Sequence, residues 1–113
     1  MVASDPSVLA PLLPAIRDAV RQGRIFWKRH ALEKMLERGI SRNMVTHAIG
    51  HGELIEAYPD DYPAPSMLLC GQSPEPLHVV VAWTTKDAHC HVITAYRPDL
   101  AHFEPGFLRR RMQ

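Results

Sequence analysis

The chain has 113 residues and a formal net charge of +1, with 46% hydrophobic and 22% charged residues, the proportions of an ordinary globular protein. By length it is one domain, able to bury roughly two-thirds of its unfolded surface, so folding requires neither disulfides nor a structural metal. No apolar run approaches the ~20 residues that span a bilayer, and Met1 to Pro6 lacks the basic and apolar stretches of a signal peptide, so a cytoplasmic protein without a membrane partner is expected.

The first 14 residues contain Pro6, Pro11 and Pro14, so a helix there starts late, with Pro14 at its first position. Ile16 and Val20 repeat at i, i+4, and Gly23 stops the segment. Ile25-Phe26-Trp27 reads either as a short strand or as a connection pinned into the core. Lys28 to Arg38 reads as a helix, with Ala31, Leu32, Met35 and Leu36 as its apolar stripe. Gly39 supplies a left-handed stop and Ile40 folds back on the last turn. Ser41 caps a further helix whose buried face is Met44, Val45, Ala48 and Ile49, and Gly50 and Gly52 end it.

From Glu53 the hydrophobic period becomes two. Glu53 to Tyr58 is a strand, Pro59 to Pro63 a turn-rich loop, and Met67 to Cys70 a short apolar strand. Leu77 to Thr84 is the strongest strand, rich in Val. Thr85-Lys86-Asp87 reverses the chain into His89 to Tyr96, and Pro98 closes that last strand. Helices followed by sequential strands give an α+β fold, with N-terminal helices packed on a four-stranded antiparallel meander. The organisation is an N-terminal extension with a short helix over residues 1–23, the α+β domain over 24–98 and a tail without period over 99–113.

Charge is unevenly distributed. Residues 15–47 carry a net +5 and residues 53–87 a net −5, and Arg109, Arg110 and Arg111 follow in the tail. A basic helical half suits a phosphate backbone, and equally suits a solvated helix face. On the Lys28–Arg38 helix, His30, Lys34 and Arg38 are spaced i, i+4, i+8, so each step drifts only ~40° around the axis. They form a polar stripe roughly 12 Å long. Arg binds phosphate bidentately and His exchanges a proton near neutral pH; the same spacing is also that of a solvated face with i, i+4 ion pairs.

In the last strand, Cys90, Val92, Thr94 and Tyr96 share one face by alternation, and His89, His91, Ile93 and Ala95 share the other. With a three-residue turn and two flanking residues, Val80 faces Val92 and His78 faces Thr94. His78, Thr94 and Tyr96 then make a polar pocket floor, or a half-exposed sheet end with satisfied polar groups. A one-residue slip moves His78 beside Ala95.

His89 and His91 stand at i, i+2, a usable pair of metal ligands. Catalytic zinc needs three protein ligands, and no spacing places His78 or His102 as the third, so half-exposed histidines beside a turn account for the pair as well. Gly50-His51-Gly52 is too short to cradle a phosphate. Ser66 and Ser73 lie near turns with no partner. Cys70 and Cys90 sit in apolar runs as buried free thiols, Cys90 without the surroundings of a nucleophile. Trp27, Trp83, Phe26 and Tyr96 read as core.

Several blocks in order resemble a bacterial family catalogued as domain of unknown function 4258. They are His30-Ala31 with Met35 and Arg38-Gly39-Ile40-Ser41, then Gly52-Glu53-x-Ile55-Glu56-x-Tyr58, Leu68-Leu69-x-Gly71, Leu77-His78-Val79-Val80 and Ile93-Thr94-Ala95-Tyr96-x-Pro98. The family is itself similar to the RelE and barnase-type ribonuclease fold used by many toxin modules. That resemblance implies a strand, two helices and a four-stranded antiparallel sheet. It also implies metal-independent cleavage of RNA by acid/base catalysis, without a cofactor. By position, His30 or His78 would be the acid/base group and Arg38 the phosphate ligand. Thr94 and Tyr96 would give polar support, with Lys34 and Arg29 as further substrate contacts. The expected partners are RNA and a small antitoxin-like protein. The alternatives are a non-catalytic binding module of the same fold, for protein or nucleic acid, and a small metal-binding protein using His89 and His91.

Overall fold

The computed structural model describes residues 3–112; Met1 and Val2 of the N-terminal reading, and Gln113 of the tail, lie outside them. Two 3-10 turns, Pro6–Val8 and Ala10–Leu12, lead into α1 (Leu13–Arg21). Then come β1 (Ile25–Trp27), α2 (Arg29–Arg38), α3 (Arg42–His51), β2 (Glu53–Tyr58), β3 (Ser66–Gly71), β4 (Leu77–Thr84) and β5 (His89–Tyr96). No helix among the described residues is long and apolar enough to cross a membrane.

Local chemistry sets the helix ends. Pro14 stands in the first turn of α1, where a missing N–H costs nothing. Gly39 ends α2 at φ +66°, and the Ile40 N–H returns to the Met35 carbonyl at 2.9 Å. The Ser41 hydroxyl accepts the Met44 N–H at the start of α3. Of the stripe expected on α2, Ala31 and Met35 are buried but Leu36 is 84% exposed. At about 100° per residue Leu36 lies roughly 100° beyond Met35, off the core-facing side.

The sheet corrects the expected four-stranded antiparallel meander. Its order is β1-β5-β4-β3-β2, five strands. Strands β2 to β5 do form the antiparallel meander, but β1 adds to β5 in parallel, with Phe26 opposite His91. Three residues are too few to show a period. Hydrogen bonds from Cys90 N–H to the Arg24 carbonyl and from Lys28 N–H to the Val92 carbonyl hold β1 as a strand. The three helices cover one face, where Ile16, Met35, Val45 and Ile49 meet Met67, Leu69, Val79, Val81, Trp83 and Val92.

Two bulges decide which side chains face away from the helices. In β2 the register shifts between Leu54 and Glu56. In β5 His78 pairs with Tyr96 and Val80 with Thr94, yet Val81 pairs with Val92, so Ile93 is the extra residue. The expected facing of His78 with Thr94, and of Val80 with Val92, is corrected by this pairing. So is the shared face: Cys90 and Val92 are buried toward the helices, whereas Thr94 and Tyr96 lie with His78 and Val80 on the other side. Residues 99–112 turn back over that second side, with Phe103 bridged to Arg110 and buried.

Candidate functional site

The sheet face away from the helices has two halves. One is an open cleft of about 500 Å³, floored by Val80, Ala82 and Ile93 and edged by His30, Lys28, His91, Thr84 and Ser66, with the loop at Asp61 and Tyr62 as its far wall. The other half lies beneath residues 99–112.

In the cleft, three side chains fix one another. The Thr84 hydroxyl donates to the Asp87 carboxylate, so its oxygen receives the Nε2–H of His91 at 3.0 Å. This places the proton of the neutral imidazole on Nε2 and leaves the lone pair on Nδ1. Burial holds His91 below its ordinary pKa, opposed by the nearby Asp87 carboxylate. The Phe26 ring stacks on His89 at 4.6 Å and lies 5.2 Å from His91, so Phe26, expected in the core, is a half-exposed platform for two imidazoles. On the other wall the Ser66 hydroxyl donates to Asp61 at 2.5 Å. Tyr62 stands 93% exposed at the rim.

The covered half collects a different set. His78 is fully buried. Its Nε2 donates to the Phe107 carbonyl at 2.8 Å, which leaves Nδ1 to accept the Tyr96 hydroxyl at 3.3 Å. The Phe103 ring meets His78 edge-on at 4.5 Å. Burial lowers the His78 pKa and raises that of Tyr96. Beside them the Tyr58 hydroxyl donates to Glu56, and Arg110 grips the same carboxylate through Nε at 2.6 Å and Nη2 at 3.1 Å. Burial, reinforced by Glu56, pushes Tyr58 up to about 12.

The residues singled out in the sequence therefore fall into separate places. His78 and Tyr96 are in contact, and Thr94 lies on the same face opposite Val80. His30 borders the open cleft instead. Arg38 donates from Nη1 to the Ala95 carbonyl at 2.8 Å, joining the end of α2 to β5. Lys34 pairs with Glu37 and Arg29 with Glu33, both at 3.3 Å on the outer surface of α2. His89 and His91 share a face, and among the described residues no group of three or more His, Cys, Asp or Glu is disposed to hold a metal ion.

The contacts that join Thr84, Asp87 and His91 have no signature in the sequence. Thr84 and Asp87 are three apart around a turn, a spacing common to many capped reversals. Their link to His91 needs the cross-strand pairing of Ala82 with His91, which the four-residue reversal between Thr84 and His89 sets. Ser66 found no sequence partner because Asp61, five residues before it, reaches it only once the loop folds over the sheet.

The family model described as Domain of unknown function (DUF4258) matches residues 27–97, and the chain belongs to this family. No curated protein and no solved structure matches the chain.

Proposed function

We propose that the open half of the sheet face is a metal-independent, toxin-like ribonuclease site that cleaves RNA by acid/base transesterification. The observation that carries this reading is His91: an imidazole held neutral by burial, its Nε2–H fixed by Thr84, lining the same cleft as His30 and Lys28. In such a reaction one neutral imidazole takes the 2′-hydroxyl proton and the 2′-oxygen attacks phosphorus. A protonated group then gives its proton to the departing 5′-oxygen. His91 Nδ1 suits the first role and His30 the second. Lys28 suits the developing phosphorane charge, and Tyr62 at the rim offers a face for base stacking. The order of one strand, two helices and a meander is also the order implied by the resemblance to RelE and barnase-type ribonucleases, which supports the fold-level side of the reading. An antitoxin-like protein partner would cover the basic surface of α2.

The test is incubation with a panel of short RNAs in EDTA, reading the ends produced. A 2′,3′-cyclic phosphate paired with a 5′-hydroxyl is expected, falling at least about 100-fold in both His91→Ala and His30→Ala. A second reading, a binding module without turnover, is favoured by the enclosure of His78. Salt-dependent RNA binding with no cleavage anywhere in the panel would establish it and overturn the nuclease.

A further inference from the structure

The covered half of the sheet face has a chemistry unlike that of a core. A buried surface against a sheet is normally apolar, and unpartnered polar groups there cost free energy. Here the surface under residues 99–112 presents an imidazole from His78, phenols from Tyr58 and Tyr96, and the Glu56 carboxylate, whose side chain is only 12% exposed. Every one of these groups is answered. His78 Nε2–H meets the Phe107 carbonyl, Glu56 meets the Arg110 guanidinium, and the Arg110 guanidinium lies 4.9 Å over the Phe103 ring. Gln72 adds a bond from its amide to the Gly106 carbonyl at 2.8 Å.

Those contacts describe a recognition site and its ligand. The receiving side is a carboxylate for a guanidinium, an N–H for a peptide carbonyl and an imidazole edge for an aromatic ring. The occupant is a segment bearing Phe103, Phe107 and Arg110, folded back on itself by the Phe103–Arg110 bridge. We infer that the His78–Glu56 end of the sheet is a peptide-binding site for an aromatic- and arginine-bearing segment, filled in cis by residues 99–112 as a strap that opens independently of the domain.

Four observations make the strap separable. The helix-side core is complete without it, since Phe103 is outside that cluster. Phe103 is its one fully buried apolar side chain, while Leu100, Leu108 and Met112 are exposed, and segments with so few buried apolar contacts open first. Phe107 is held at φ +60°, a region disfavoured for a bulky side chain, so the strap carries backbone strain. The matched family segment ends at Arg97, before the strap begins. The inference does not depend on the ribonuclease reading, which concerns the other half of the face.

The two cysteines report on it from opposite sides of the sheet. Cys70 pairs with His78 on the strap side, and Cys90 is buried in the helix-side core. Strap opening exposes Cys70 alone; global unfolding exposes both. Maleimide labelling of the full chain, read residue by residue by mass spectrometry, should show Cys70 reacting at least about tenfold faster in Arg110→Ala and in Glu56→Gln than in the wild type, because a charge-assisted bidentate contact is lost. Cys90 should be unchanged. A synthetic peptide of residues 99–113 in excess should slow Cys70 labelling in Arg110→Ala toward the wild-type rate, and the same peptide with Arg110→Ala should not. Equal acceleration of both cysteines in both variants, or no protection by the peptide, overturns the proposal.

Discussion

His78 and Phe107, 29 residues apart, meet at 2.8 Å between the imidazole Nε2 and a backbone carbonyl, and this bond fixes the buried ring as its neutral Nε2–H tautomer. Protonation would place a second N–H at Nδ1, against a Tyr96 hydroxyl already oriented to donate there. Burial, aided by the Arg110 charge, holds the pKa down against the Phe107 carbonyl and the Glu56 carboxylate, both of which favour protonation.

The consequence for stability follows by linkage. A histidine held below its ordinary value when folded binds fewer protons there than in the unfolded chain. The stability it contributes is complete above about 6.5 and is lost as pH falls from there toward the folded value. His91 is shifted in the same direction. Urea midpoints should therefore fall between pH 7.5 and 5, a window above the titration of Asp87 and Asp99, both held below the usual carboxylate value by hydrogen bonds. His78→Asn should be less stable at pH 7.5 but show a shallower fall. A slope equal to that of the wild type would refute the assignment of His78 as a titrating group.

Thr84 offers a test of the cleft that changes almost no volume. Thr84→Val removes the hydroxyl that holds the Nε2–H of His91, leaving the imidazole free to exchange tautomers. Cleavage of RNA should drop by about tenfold or more, and Thr84→Ser should restore it. Imidazole nitrogen shifts should show Nε2–H in the wild type and a tautomer mixture in Thr84→Val. If the shifts are the same in both proteins, Thr84 does not orient His91.

The local parts of this architecture were legible and the long-range parts were not. The Gly39 stop, the Ser41 cap and the limits of β2, β4 and β5 each depend on neighbours within four residues or on a clean period of two. The bulge at Ile93 defeats that period: Thr94 is as acceptable on either side of a strand, so nothing in the string Cys90 to Tyr96 marks where the face changes. The grouping of His78 with Tyr96 was nevertheless recovered, because a register error of two preserves the side of the sheet. The complete burial of His78, beyond a pocket floor or a half-exposed sheet end, has no sequence signal because the Phe103 and Phe107 contacts arrive from a segment with no hydrophobic period at all.

Gly52 and Gly71 show how one motif position acquires a physical reason. A Cβ on Gly52 would lie 2.4 Å from the Ala48 carbonyl oxygen and 2.8 Å from that of Cys70, both backbone atoms that cannot swing aside. One on Gly71 would come within 2.9 Å of the Ala48 Cβ. Here α3 and β3 approach closely enough that only hydrogen fits. Gly52→Ala should therefore cost about 1–3 kcal/mol, the range for overpacking. Gly50→Ala, with open space at its Cβ, should be neutral or slightly stabilising through helix propensity. Thermal unfolding of the two variants side by side decides it, and equal midpoints would show that the α3–β3 contact yields.

Arg38 separates an anchoring role from a ligand role on the same helix. Its Nη1 holds the Ala95 carbonyl at 2.8 Å, tying the end of α2 to β5, whereas Lys34 and Arg29 have only exposed partners on their own helix. Pairs of that kind contribute little to stability and leave the cations available to a polyanion. Arg38→Ala should lower stability by about 1 kcal/mol and leave the dependence of RNA affinity on salt nearly unchanged. Lys34→Ala and Arg29→Ala should do the reverse, leaving stability unaltered and each reducing the salt slope by about 1. Fluorescence anisotropy of a labelled RNA across a salt series, with denaturant unfolding of the same variants, measures both. A lower salt slope in Arg38→Ala would assign Arg38 to the phosphate track as well as to the Ala95 carbonyl.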